Sequence, residues 1–263
     1  MAKFMTPFPT LEKRLAVRER PPRQPVLYQT WRDLLFVHWE IDPELIQATL
    51  PPGLHVDTFE GKAYVGIVPF FMCDVHPRFT FNVPRLSDFA ETNLRTYVYD
   101  RHGNPGVMFY SLDAYQRTAV WIARTMYHLP YHYAQMPTPH HNRDGRTGQP
   151  TVHHTQRASA RPSQWSKFVY AQGGELSTAV PGTLEFFLLE RYLFFTYSPR
   201  GLLEGRVWHV PYEFAPAKVS AWDANLLVLA GFDDPQRPPD SLLMSPGVVV
   251  DTYALKEVTS AKR

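Results

Sequence analysis

Glu91, Asn93 and Arg95 alternate within the stretch "ETNLRTYVYD". In an extended strand, residues two apart share a face. A carboxylate, an amide and a guanidinium therefore stand in a row, continued by Tyr97 and Tyr99, while Thr92, Leu94, Thr96 and Val98 take the other side. A polar row that runs on into two tyrosines is not an ordinary solvent face. On a closed or strongly curved sheet it lines a cavity. There an arginine grips a carboxylate through paired hydrogen bonds, and a buried glutamate with a raised pKa carries a proton. The plain alternatives are a Glu91–Arg95 ion pair that satisfies itself, or a solvent face.

A second constellation is "HLPYHYAQM", which holds Tyr131, His132 and Tyr133. The two tyrosines share one side of a strand and His132 takes the other. His132 is either an acid–base group or a hydrogen-bonded core or surface residue. His209, in "RVWHVPYEF", alternates with Val207. It meets the same pocket if it faces inward and is a satisfied core histidine if it does not. The doublets His140-His141 and His153-His154 face each other across a hairpin expected around "NRDGRTG". Paired imidazoles suit zinc or nickel, but no carboxylate stands at ligand spacing, and an exposed loop is the expectation. No metal is assigned. The single cysteine, Cys73, excludes an intrachain disulfide and a cysteine-based zinc site, and its apolar surroundings make it a small buried hydrophobe. Glycine-rich nucleotide loops, the G-x-S-x-G elbow and H-E-x-x-H are absent, so no cofactor is assigned.

The elements that must position these groups are mostly strands. "TWRDLLFVHWEI", "KFVYAQ", "GRVWHVPYEF" and "GVVVDTYAL" read as strands. "LHVDTFEGKAYVGIVPFFMCDV" reads as a hairpin turning at Phe59 to Lys62, and "ETNLRTYVYD" returns through "RHGNP" as "GVMFYSLD". Helices are expected over "DPELIQATL", capped by Asp42 with Pro43 at its first position, and over "DAYQRTAVWIARTMYHL", capped by Asp113 and ended by Pro130. "SAWDANLLVLAGF" reads as a further helix, and "PGTLEFFLLERYLFFTYS" as a turn or helix running into a strand.

The 263 residues are 44% hydrophobic and 20% charged, enough for a sizeable core. Aromatics at 14% and more prolines than glycines point to a strand- and loop-rich fold. A net charge of +2 gives no electrostatic case for a nucleic-acid partner. No stretch approaches the ~18 apolar residues of a membrane span, and cytoplasmic placement is expected. Residues 1–25 form a basic N-terminal arm, with six basic residues against two acidic ones. Residues 26–263 are expected to form one α+β, β-rich domain with a mostly antiparallel, barrel-like sheet and a few packed helices.

The runs "RDLLFVHWEI", "LPPGLHVDTFEGKAYVGIVPF", "LSDFAETNLRTYVYD", "GNPGVMFYSLDA" and "LPYHYAQM" resemble the YqjF-like proteins, a bacterial family related to acetoacetate decarboxylases. The resemblance runs from about Trp31 to Tyr253. It implies a barrel-like β-structure around a small pocket. Acetoacetate decarboxylases carry a Phe-Pro-Lys-Lys-Tyr-Ala segment whose first lysine forms a Schiff base with a β-keto acid. Its neighbour lowers that lysine's pKa by like-charge repulsion. Here "LPYHYA" matches the segment, with Tyr131 at the nucleophile position and His132 at its partner. A phenol forms no imine, so the resemblance implies a retained pocket without Schiff-base chemistry. The family's catalytic carboxylate falls in "ETNLR", on Glu91 or Asn93.

Together these readings predict a protein that binds a small anionic or carbonyl-bearing metabolite. Arg95 clamps its carboxylate, with Asn93, His132 and His209 as further binding groups. Glu91 and Tyr131 are the candidates for lysine-independent acid–base chemistry. The competing expectations are a non-catalytic binding protein and a structural protein whose pocket is filled by its own side chains. The fold allows a homo-oligomer, which the sequence does not specify.

Overall fold

Runs of β-branched and aromatic residues dominate the chain, and they form strands. A computed structural model describes residues 7–80, 87–137, 149–161 and 164–258. Helix α1 (Leu11–Ala16) precedes β1 (Leu27–Ile41), α2 (Pro43–Thr49), β2 (Leu54–Val56), β3 (Ala63–Pro77), β4 (Phe89–Asp100) and β5 (Pro105–Ala114). Then come α3 (Arg117–Met126), β6 (Tyr131–Gln135), β7 (Thr151–Arg157), β8 (Ser166–Gln172), β9 (Ser177–Thr178) and α4 (Leu184–Leu189). The order ends with β10 (Leu193–Ser198), β11 (Gly201–Trp208), β12 (Glu213–Ala221), α5 (Asn225–Leu229), β13 (Ser241–Thr252) and β14 (Lys256–Glu257).

Seven strands close into a ring. β1 pairs with β3, β3 with β4, β4 with β5, β5 with β10, β10 with β11, β11 with β13 and β13 with β1. Of these pairings only β5–β10 is parallel. A second path leads from β5 through β6, β7, β8 and β12 back to β13. It covers the outer face of the ring, so strands here are buried on both sides and β4 is buried at every position. Inside the ring, Leu34, Phe36, Phe70, Tyr97 and Val250 belong to the main core. Outside it, Leu35, Val37, Val65 and Leu94 pack with Phe168, Tyr170 and Leu227. The strand-rich, mostly antiparallel architecture with few helices is the one the sequence predicts.

Local differences have tertiary causes. Strand β2 pairs with β4, not with β3 as a hairpin would: it takes the edge of β4 at Val98–Asp100, beyond Thr96 where the β3 pairing ends. Asp113 is no helix cap: it is the penultimate residue of β5, buried against Arg157. Gln116 caps α3 instead, accepting from the backbone of Thr118. "GRVWHVPYEF" breaks into β11 and β12 around Val210-Pro211, since proline supplies no donor for a ladder. Residues 220 and 221 of the expected third helix belong to β12, leaving the short α5. Asp42 caps α2 as expected, and Phe59 pairs with Lys62 at the expected turn.

Residues 14–20 lie on the body of the protein. Arg14 grips Asp57 with two bonds of 2.7 and 2.8 Å. Arg206 donates to the carbonyls of Val17 and Glu19, and Trp208 to that of Arg18.

Candidate functional site

The ring encloses a cavity of about 620 Å³, and every strand of the ring contributes to its wall, from Trp31 through Phe70, Arg95, Phe109, Phe194 and Val207 to Thr252. Alternation along β4 turns Phe89, Glu91, Asn93 and Arg95 into it, and α3 and Tyr131 close one side. The mouth lies between the end of β3 and α3, where Phe79, Thr118 and Ile122 are exposed. Phe89 stands opposite Met72 and Arg95 opposite Gly66, so the row on β4 leads from the mouth end inward.

Tyr131 donates its hydroxyl to Glu91 Oε2 across 2.8 Å. Burial pushes the Glu91 carboxyl up to about 8; the Tyr131 bond pulls it back and nearby Asp113 adds to the rise. Glu91 therefore keeps its proton at neutral pH. The Tyr131 phenol is raised well above its ordinary value, by burial first and by Glu91 second. The pair is a neutral acid and phenol on an apolar wall.

Arg95 makes a different arrangement. Its Nη2 donates to the Leu188 carbonyl at 3.1 Å and to the Tyr97 hydroxyl at 3.4 Å, while buried Nε has no partner. The guanidinium lies 5.4 Å over the Phe36 ring. It forms no ion pair with Glu91, and among the described residues no carboxylate bonds to it. Asn93 Oδ1, between the two, is buried without a partner. Two histidines on this side are held neutral. His38 is pushed well down by burial and by Arg95, and His209 to about 4, chiefly by burial. Arg95 thus remains an uncompensated cation beside them.

The other expected residues lie elsewhere. His132 is half-buried on the far side of β6 from Tyr131 and is not part of the cavity wall. Burial, then Arg157 and Arg124, lower it to about 4. His209 sits behind the wall, stacked on Tyr192 at 4.6 Å and against Tyr212 at 4.5 Å. Its Nδ1 bonds to the Val210 carbonyl, and Nε2 has no partner. His153 is buried against Thr92 Oγ1 at 2.8 Å and His154 lies near the Pro137 carbonyl. His140 and His141 fall outside the described residues. Among those described, no three side chains gather to hold a metal. No described lysine lines the cavity.

A charged wall residue, Arg191, escaped the sequence reading. Arg191 is buried, donates Nε to the Phe187 carbonyl and pairs through Nη1 with Asp57 Oδ2 at 2.7 Å. Burial lowers it to about 10, against the pull of Asp57. Because Asp57 also binds Arg14, helix α1 is tied to the cavity wall. The signal was a charged Glu190-Arg191 pair inside the apolar run "FFLLERYLFF".

Known proteins share this framework. An acetoacetate decarboxylase from Legionella pneumophila superimposes with a TM-score of 0.60 over 92% of each chain at 14% identity. An acetoacetate decarboxylase-like enzyme from Sphingomonas wittichii RW1 gives 0.58 over 91% of this chain and 95% of that one, also at 14%. MppR, an enduracididine biosynthesis enzyme, gives 0.58 over 89% of both chains at 12%. At these identities the likeness is one of fold. By sequence, YqjF of Bacillus subtilis (strain 168), an uncharacterized protein, is 34% identical over 197 residues, 74% of this chain and 78% of that protein. Residues 28–249 match the DUF2071 family, described as "Uncharacterized conserved protein". The chain belongs to that family.

Proposed function

We propose that the protein binds an anionic, carbonyl-bearing metabolite in the ring cavity and acts on it by lysine-independent acid–base chemistry. Arg95 takes the anion through its free guanidinium edge, Asn93 supplies a further polar contact, and protonated Glu91 with Tyr131 donates a proton to the carbonyl oxygen or its developing enolate. The carrying observation is that the Glu91–Tyr131 pair and Arg95, which has no carboxylate partner among the described residues, line one cavity. Leaving a buried guanidinium uncompensated costs stability unless an anion completes it. MppR is described in complex with the condensation product of pyruvate and imidazole 4-carboxaldehyde, which fits a carbonyl acid in this framework. Placement in the cytoplasm fits the single cysteine.

The test is thermal unfolding with keto, hydroxy and unsaturated acids, on wild type and on Arg95→Ala. An acid at a hundred times its dissociation constant stabilises by about 2.7 kcal/mol. The expected result is a rise in wild-type Tm that Arg95→Ala lacks, with turnover of the same acid lost in Glu91→Gln. Equal responses in both proteins, or none, overturn the anion site. Binding without turnover leaves a carrier and removes the chemistry.

A further inference from the structure

The two polar posts on β4 stand far apart. A strand rises about 3.3 Å per residue, so the Cα atoms of Glu91 and Arg95 are separated by about 13 Å. Arg95 widens this gap, because its Nη2 leans to Tyr97, the next residue inward on the same face, and not to Glu91. In a β-keto acid the carboxyl carbon and the keto carbon are only two bonds apart. Such a molecule reaches the arginine or the Glu91–Tyr131 pair, but not both. The cavity is also large. At about 30 Å³ for a group the size of a water, its 620 Å³ holds about twenty such groups. Most of the wall is apolar, with Trp31, Phe70, Met72, Phe89, Phe109 and Phe194 along the way.

We infer that the occupant is an amphipathic, straight-chain carboxylate of medium length. Its carboxylate sits on Arg95 and its hydrocarbon body runs along β4 past Asn93 and the Glu91–Tyr131 pair toward the mouth under α3. A carbon zigzag built from bonds of about 1.5 Å advances about 1.25 Å per bond. About twelve carbons, with eleven bonds between them, therefore span the gap of about 13 Å from Arg95 to Glu91. The inference rests on the anion-binding reading of Arg95 and names its ligand class. It also moves the site of chemistry: a carbonyl near Glu91 and Tyr131 lies well down the chain from the carboxylate, not β to it.

The experiment is calorimetric titration with saturated straight-chain monocarboxylates from butanoate to hexadecanoate, each below its micelle concentration. It is run on wild type, Arg95→Gln and Ala123→Trp, the last placing a bulky ring on the half-buried α3 wall near the mouth. Each buried methylene should tighten binding by about fourfold, continuing to about ten or twelve carbons and then stopping. Arg95→Gln should weaken every length by a similar factor, and Ala123→Trp should move the optimum to shorter acids. Affinity that is flat with length, or highest for butanoate, overturns the medium-chain ligand while an Arg95-dependent butanoate signal keeps the anion site. Length dependence that ignores Arg95→Gln overturns both, as does absence of binding at every length.

Discussion

Tyr131, the first residue of β6, hydrogen-bonds Glu91 at 2.8 Å although 40 residues separate them. The contact exists because β5 lies between β4 and β6. Leu112 pairs with Tyr131 on one side, and Glu91 pairs with Ala114 on the other. It joins the carboxylate of the polar row on β4 to the tyrosine that opens β6. A neutral carboxylic acid and a phenol result, both buried.

Glu91 makes stability depend on pH. Its carboxyl holds a proton up to about pH 8 in the folded protein, against 4.5 ordinarily. Between those values the unfolded chain binds fewer protons, so stability falls as pH rises and levels off above about 8. Asp113, raised to about 6 by burial, adds to the lower part of that slope. His132, His153 and His209 are lowered and act oppositely, removing stability as pH falls below 6.5. Glu91→Gln isolates the first contribution. Against this variant, wild type should lose up to about 1.4 kcal/mol per pH unit from pH 5 to 8. Urea unfolding at four pH values measures the difference, and a constant difference would show that Glu91 is ionised throughout.

Asp113 and Arg157 form a buried ion pair joining β5 to β7: Nε donates to Asp113 Oδ1 at 2.9 Å, and Nη2 stands 2.9 Å from the same oxygen as an ion-pair contact. Removing one partner strands the other charge. Arg157→Ala should destabilise by about 3–5 kcal/mol at pH 8. The loss should be smaller at pH 5, where Asp113 regains its proton. Denaturant midpoints at the two pH values decide this, and an equal loss at both would mean that Asp113 is not charged in the native protein.

Gly205 faces Phe194 across the β10–β11 pair. A Cβ there would sit 2.0 Å from the Phe194 ring, which lines the cavity. Gly205→Ala must push that ring aside. The expected cost is about 1–3 kcal/mol, together with altered binding of any acid that stabilises wild type. A variant as stable as wild type, with unchanged binding, would mean that the ring is free to move at no cost.

Strand alternation is a local property, so the face carrying Glu91, Asn93 and Arg95 was legible from residue type and spacing, as were the cap at Asp42 and the turn at Phe59 to Lys62. The place of Tyr131 followed from a resemblance of motifs. Its partner did not, because a hydrogen bond across an intervening strand depends on sheet order, and sheet order is not local. The same reason put β2 beside β4, and made Asp113 a buried partner of Arg157 where its position before a helix suggested a cap. His132 and His209 looked like pocket residues because alternation gives two faces without saying which one a neighbouring strand will cover. Residue types set out the polar row and the apolar wall, while ring closure decided which of them share one cavity. Closure brings side chains from seven strands, spread over more than two hundred residues, to a common interior, and only the long-range register of those strands fixes it.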